Sequence, residues 1–331
     1  MSIPPIAVTM GDPAGIGGEL TLAAWIARRQ SGPTFFAIDC PARLAAIAKS
    51  LGLDVPIREA TPETAGEIFR DALPVLPQPL PAPPTPGRPD PAHAHAAIAS
   101  IDLATRLALA GRTAGLVTNP VYKRNLYEAG FDYPGQTEFV GALTDPSAQP
   151  IMLLASPALR VAPLTTHLPL TAAIAAVTTD AIVKLGAALA KALAQDFCCD
   201  PARIAIAGLN PHAGEEGKMG REEIDIIAPA VAALKALGVA ASGPHSPDSM
   251  FHEEARAQYD AALCMYHDQA LIPLKTLDFR SGVNVTLGLP VVRTSPDHGT
   301  AFDIAGRGVA DPSSFLAALD LAAAIARRRR A

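Results

Sequence analysis

Apolar runs recur along the chain, and most of them hand over to glycine, asparagine, proline or histidine. Ile3 to Thr9, Thr34 to Ile38, Ala114 to Val117, Leu159 to Thr166, Arg203 to Leu209 and Ala261 to Tyr266 lack a polar/apolar alternation and read as strands buried on both faces. Longer stretches of helical character intervene: the run ending at Arg29, Pro41 to Leu51, His93 to about Ala110, Ala172 to Leu193, Glu222 to Leu237 and Pro312 to Arg330. Strands alternating with helices predict an α/β protein with a parallel sheet. A chain of 331 residues exceeds what one hydrophobic core supports. The expected architecture is therefore two α/β/α lobes with a cleft between them.

Composition narrows the partners. Hydrophobic residues make up 49% and charged residues 18%, with a formal net charge of −5, which gives no electrostatic case for nucleic acid or an anionic membrane. An anionic ligand needs a local cationic pocket. No uncharged apolar run reaches the roughly 20 residues of a membrane span, and the first residues enter a strand without a charged leader, so a cytoplasmic protein is expected. Cys40, Cys198, Cys199 and Cys264 lack CxxC spacing and read as reduced thiols. The proline-rich stretch 74–91 reads as a stiff surface loop with one edge strand and no chemistry. His93 and His95, two apart on a helix, face different ways and are expected to be solvated.

Chemistry gathers where strands end. Met10 to Leu20 is a glycine-rich turn into a helix, matching neither GxGxxG nor GxxxxGK[ST]; its helix N-terminal amides are free for an anion, or it is a tight connection with Asp12 as a turn or capping residue. Thr118, Asn119 and Lys123 follow another strand and suit a substrate wall. Thr137 and Glu138 stand at a helix start, where Thr137 is a capping residue, a ligand contact or both. Three segments repeat one theme: His167, His212 and His267 each follow a buried strand. Parallel strands end on one edge, so the three imidazoles are expected to converge on a divalent cation, with Asp268 or Glu215 orienting a ring. His245, His252 and His298 lack this setting, whereas Asp248 lies in a Gly/Pro-bounded loop able to reach a cleft. Residues 276–306 are rich in glycine and small hydroxyls around a strand-like Val291 to Arg293, which suits a nucleotide or phosphate, and Lys275 with Arg293 supplies the cationic pocket. The four terminal arginines complement a helix C-terminus.

These residues stand in blocks, VTMGDPAGIG at 8–17, VTNPVYK at 117–123, GQTEF at 135–139, TTHLPL at 165–170, GLNPHAGEEGKMGREE at 208–223, YHDQALIPLK at 266–275 and VNVTLGLPVVRTSPDHGTAFDIAG at 283–306. Together they resemble the 4-hydroxythreonine-4-phosphate dehydrogenase family of pyridoxal phosphate biosynthesis. The resemblance implies an isocitrate/isopropylmalate dehydrogenase-like fold and a homodimer with a shared active site. It places residues 1–130 and 285–331 in the first lobe, and 131–284 in a second lobe carrying the metal histidines and the dimer interface. Carried over, His167, His212 and His267 are divalent-metal ligands (zinc, magnesium or cobalt), with His267 donated by the other subunit. Gln136, Thr137, Lys275, Asn284 and Arg293 line the substrate pocket, and Asp248 is a further transfer. Gly288, Thr294 and Asp297 are the candidate contacts to NAD or NADP. Gln136 stands where the family commonly has histidine, so it hydrogen-bonds without titrating, and Gly18 replaces a proline.

The implied reaction is oxidation of 4-phosphooxy-L-threonine followed by decarboxylation to 3-amino-2-oxopropyl phosphate, with Lys275 and His212 catalytic. Gln136 leaves open a paralogue acting on 4-phospho-threonate or 4-phospho-erythronate. A phosphate acyltransferase and a non-catalytic metal or nucleotide binder are the readings from other classes.

Overall fold

The computed structural model describes residues 3–145, 147 and 150–330. Among these, the strands are β1 (Ile6–Thr9), β2 (Phe35–Asp39), β3 (Ile57–Glu59), β4 (Leu73–Pro77), β5 (Leu116–Val117), β6 (Ile151–Ala155), β7 (Arg160–Pro163), β8 (Arg203–Ala207), β9 (Ala240–His245), β10 (Ala261–Cys264), β11 (Val283–Leu287) and β12 (Arg293–Pro296). The chain divides into two compact units, residues 1–150 with 289–331, and residues 151–288.

In the first unit the order β3-β4-β2-β1-β5-β12 is parallel throughout. β1 and β2 are buried along their whole length, as continuous apolar strands in a parallel sheet should be. Helix Gln136–Thr144 belongs here because Phe139 and Val140 pack into the same cluster as Phe36, Ile101 and Leu116. The unit therefore runs to residue 150, past the boundary expected at 130, and the chain re-enters it at 289 where Leu289 and Val291 join that cluster.

In the second unit the order β11-β6-β7-β10-β8-β9 is mixed: β6 runs antiparallel to both β11 and β7, while β7, β10, β8 and β9 are parallel. The three strands that precede His167, His267 and His212 are thus the adjacent parallel set β7-β10-β8, and their C-terminal ends share one edge. Leu154, Val161, Ala205, Ala262, Cys264, Leu271 and Leu274 form the core beneath them.

Several local expectations change. β4 is not an edge strand; it pairs with both β2 and β3. Pro74 lies before the first β2 partner, Val75, and Pro77 is the last, so the missing amides fall at the ends of that pairing. His93 is buried at 3% exposure, because the residue ends a short 3-10 turn that Asp90 caps through the Ala92 amide. His95 is exposed as expected. The helix read over 172–193 is two helices, Leu170–Ala175 and Thr179–Phe197, divided where the Thr178 hydroxyl accepts from the Ala181 amide. The segment that begins at His267 is helix His267–Leu277. The four cysteines are unbridged.

Candidate functional site

The first unit holds an anion-ready group. Arg293 opens β12 and is 3% exposed, and its guanidinium donates to two hydroxyls: Nη2 and Nε to Thr118 Oγ1 at 2.7 and 3.2 Å, and Nη1 to Thr137 Oγ1 at 3.2 Å. Burial lowers the Arg293 pKa to about 10, against the field of Glu138. Thr137 caps nothing, since helix Gln136–Thr144 starts from Gly135 with no side-chain cap; its hydroxyl serves Arg293 instead. Gln136 Nε2 donates to the Asn119 carbonyl at 3.2 Å, and its Oε1 is buried with no partner among the described residues. Three of the expected substrate residues, Gln136, Thr137 and Arg293, are therefore grouped around the Thr118–Asn119 strand end.

The glycine-rich turn is mainly structural. Asp12 Oδ1 accepts from the Ala14 amide at 3.0 Å, and burial raises the Asp12 pKa. Gly11 adopts φ +70, and a Cβ there would lie 2.7 Å from Asn119 Cβ, so only glycine fits. Beside this turn a cavity of about 570 Å³ opens under Pro81, Pro83, Pro84 and Pro86. Its one buried cation, Arg43, is neutralised by Asp39 at 2.6 Å, so it offers no strong anion site.

The cofactor residues expected from sequence fare differently. Thr294 is fully buried and donates its hydroxyl to the Ala318 carbonyl at 2.8 Å, tying β12 to the C-terminal helix. That hydroxyl proton is committed to packing. The Asp297 amide donates to Ser314 Oγ at 3.0 Å, and Gly288 lies in an exposed turn at φ +78.

The second unit carries the imidazoles. The rings of His167 and His267 lie with centroids 5.8 Å apart, and both line a cavity of about 270 Å³ with Thr165, Tyr266 and Asp268. His267 thus already stands beside His167 of its own chain. His267 Nδ1 lies 2.7 Å from Asp268 Oδ1, the contact that fixes the tautomer and leaves Nε2 free for a cation. Imidazole nitrogens are ligands that first-row divalent ions accept, and this pair supplies two of them. His212 is not part of that pair; its Nδ1 lies 3.8 Å from Asp248, whose pKa is lowered by the Ser246 hydroxyl and by His212. Among the described residues no group of three or more His, Cys, Asp or Glu side chains is arranged to hold a metal.

His167 and His212 both occupy left-handed backbone, at φ +47 and +52. From His212 to Glu216 every residue is left-handed, a conformation costing about 1–2 kcal/mol for each that is not glycine. Such strain persists only where neighbours over-determine it. Glu223, 3% exposed, provides the restraint: its Oε1 accepts from the Leu209 and Asn210 amides at 2.8 and 2.7 Å, and its Oε2 from Asn210 Nδ2 at 3.0 Å. Burial alone would raise the Glu223 pKa, but these donors outweigh it and hold the carboxyl low.

Lys275 lies two turns beyond His267 on the same helix face, and both line a cavity of about 410 Å³ with Asp268, Leu271, Ile272 and Thr276. Its Nζ sits 5.9 Å from the Phe279 ring centroid. Asn284 in β11 has a buried Oδ1 with no partner among the described residues. His245 bonds Ser242 at 2.8 Å, and His252 bonds Glu254 at 2.7 Å. Sequence reasoning missed Thr165, Glu223 and Gln269. Only Gln269 left a signal, since a glutamine at the third position of a helix is a capping-box position.

Comparison with known proteins identifies the family. The family model for the pyridoxal phosphate biosynthetic protein PdxA matches residues 34–322. A 4-hydroxythreonine-4-phosphate dehydrogenase of Caulobacter vibrioides is 55% identical over 335 residues, covering 99% of both chains. One from Erythrobacter litoralis is 50% identical over 328 residues, covering 98% of this chain and 97% of its own. The crystal structure of a 4-hydroxythreonine-4-phosphate dehydrogenase from Klebsiella pneumoniae superposes with a TM-score of 0.87 at 39% identity, over 98% of both chains. A terephthalate 1,2-cis-dihydrodioldehydrogenase from Burkholderia xenovorans superposes with a TM-score of 0.64 at 27% identity, over 97% of this chain and 98% of that one. By family model and by whole-length identity, this chain belongs to the PdxA family of pyridoxal phosphate biosynthesis.

Proposed function

We propose that the chain oxidises and decarboxylates 4-phosphooxy-L-threonine to 3-amino-2-oxopropyl phosphate, using NAD and a divalent metal ion. The observation that carries this is the buried Arg293 guanidinium donating to the Thr118 and Thr137 hydroxyls, a cation suited to a phosphate. Whole-length identity to proteins named for this activity supports the substrate class.

In this reading Arg293, Thr137 and Gln136 grip the phosphate, and Asn284 hydrogen-bonds the substrate through its unpartnered Oδ1. His167, His212 and His267 would hold the ion, with His267 donated by the other subunit. A bound divalent ion would supply Lewis acidity at the reacting hydroxyl, and a bound nicotinamide would supply the hydride acceptor. The hydroxyl proton leaves, the carbon becomes a ketone, and the substrate is a β-keto acid. Its bond to the carboxylate then breaks, CO₂ departs, and the electron pair remains as an enolate. Lys275 steadies the negative oxygen and returns a proton to carbon. Gln136 takes no part in proton transfer.

The enzyme is proposed to act as a homodimer in which the metal set is completed between copies. Exposed apolar side chains support this: Leu168, Leu170, Ile174, Ile272 and Phe279 stand 50%, 58%, 44%, 63% and 75% exposed on the segments bearing His167 and His267. No helix among the described residues is long and apolar enough to cross a membrane.

The test is NADH formation from 4-phosphooxy-L-threonine, 4-phospho-threonate and 4-phospho-erythronate, each with zinc, magnesium or cobalt and with NADP in place of NAD. Turnover restricted to the two amine-free acids replaces the proposed substrate. Absence of metal-dependent turnover with all three removes the reading.

A further inference from the structure

The proline-rich segment is tied at both ends beside helix Pro41–Ser50. The Gln78 amide donates to the Asp39 carbonyl at 2.9 Å, and the Gly87 amide donates to the Ala14 carbonyl at 2.8 Å. Between those ties Pro81, Pro83, Pro84 and Pro86 line the cavity of about 570 Å³, which Ala42, Ala46 and Ile47 of the helix also line. Proline fixes φ, so this wall is ordered before anything binds and little conformational freedom is lost on occupation. The volume falls among those of small-molecule sites, about 300–1,000 Å³. None of the residues expected to hold substrate, metal or nicotinamide lines it.

The charges beside the cavity already have partners. Arg43 and Asp39 pair at 2.6 Å with both side chains 2% exposed, and Asp39 Oδ1 also accepts from the Cys40 amide at 2.7 Å. The Glu19 carboxylate accepts from the Gly306 and Gly308 amides at 2.5 and 3.0 Å. An ionic occupant would shed water without gaining a free counter-charge, which favours a neutral one.

One polar atom is left over. Arg43 Nε donates to the Pro13 carbonyl at 3.1 Å, whereas Nη2 is buried with no hydrogen-bond partner among the described residues. A buried donor left unmade is costly and calls for an explanation. The Cβ that Gly18 lacks would lie 2.6 Å from Ile47 Cδ1 and 3.2 Å from Arg43 Nη2. Proline, the residue that Gly18 replaces, would carry that Cβ, so the space beside Nη2 exists because this chain has glycine here. Ile47 shares that space and lines the cavity, and a change of its rotamer opens Nη2 to an occupant.

We propose that this cavity is a small-molecule site separate from the substrate site, taking a neutral, largely apolar molecule with one hydrogen-bond acceptor for Arg43 Nη2. The prolines, Ala42, Ala46 and Ile47 supply apolar contact, and the single donor sets the orientation.

The experiment is a titration of the full-length protein with quinoline, read by ligand-observed NMR. Quinoline is neutral at neutral pH, and its ring nitrogen is its one acceptor. Naphthalene, the same shape without the acceptor, is the comparison. Quinoline should bind about ten-fold or more tightly than naphthalene, the size of one hydrogen bond to a charged donor. Ala42→Trp and Ala46→Trp each fill the cavity from an exposed helix position. Each should weaken quinoline binding about ten-fold or more, with a melting temperature close to wild type. Absence of quinoline binding, equal affinity for the two probes, or binding that survives both tryptophan variants overturns the proposal. Displacement of quinoline by NAD or by 4-phosphooxy-L-threonine assigns the cavity to the reaction and overturns it as a separate site.

Discussion

Arg293 and Thr137, 156 positions apart in sequence, meet at 3.2 Å, and Thr118 Oγ1 receives two further bonds from the same guanidinium. A guanidinium buried beside these hydroxyls has given up its water. Such an arrangement is poor for stability and good for binding an anion. Arg293→Met should lower kcat/KM for a phosphorylated substrate about 100-fold, as expected for losing charge-assisted hydrogen bonds. Its melting temperature should stay at or above that of the wild type. Steady-state kinetics and calorimetry check both halves, and a large fall in stability with normal kinetics removes the assigned role.

His212 stands at φ +52, where an L-residue is strained. His212→Gly relieves that strain and removes the imidazole. Turnover should disappear and divalent-metal affinity fall, while the melting temperature does not drop below wild type. Stability gained alongside activity lost marks strain retained for function. Activity surviving in His212→Gly sinks the ligand assignment.

Lys275 shares a cavity with His267 and carries no assigned role in holding the nicotinamide. Lys275→Ala should collapse kcat by about 100-fold or more, the size of a lost general acid, with NAD affinity little changed. Stopped-flow comparison of hydride transfer and CO₂ release would show which step has slowed. Near-normal kcat is the contrary result.

Ile272 is 63% exposed on helix His267–Leu277. Ile272→Glu places a charge in the apolar face proposed to meet a second copy. Sedimentation should show a shift from dimer to monomer, with activity lost in parallel and recovered at high protein concentration. A wild-type protein that sediments as a monomer refutes the dimer outright.

Glu223 gives stability a defined pH window. Its folded pKa lies below the ordinary 4.5, so as pH falls the unfolded chain takes up the proton first. The contribution is therefore full above 4.5 and is lost as pH falls through the folded value. Glu223→Gln should unfold at lower temperature at pH 7, by about 1–3 kcal/mol of stability. Its melting temperature should also change less than that of the wild type between pH 5 and 3. Parallel melting curves for the two proteins across that range count against the restraint.

Local sequence determined a great deal. Continuous apolar runs such as Ile6 to Thr9 and Ala261 to Cys264 have no alternation to offer a half-exposed strand, so their burial on both faces followed from pattern alone. Their spacing by helices fixed the α/β class, and the recurrence of histidine after three of them marked the site. Family resemblance in the blocks around Gln136, His212, His267 and Arg293 supplied the chemistry. Tertiary structure decided what pattern cannot carry. His93 is buried because of the turn before it, Thr294 is committed to a helix 24 residues away, and His267 stands beside His167 but not in one group with His212. Pairing between strands is a long-range choice that β7-β10-β8 made out of sequence order. The hydrogen bonds from Thr165 to the Met265 carbonyl and from Gln269 Nε2 to the Gly208 carbonyl exist only once that choice is made, since each joins residues that sequence spacing leaves unrelated.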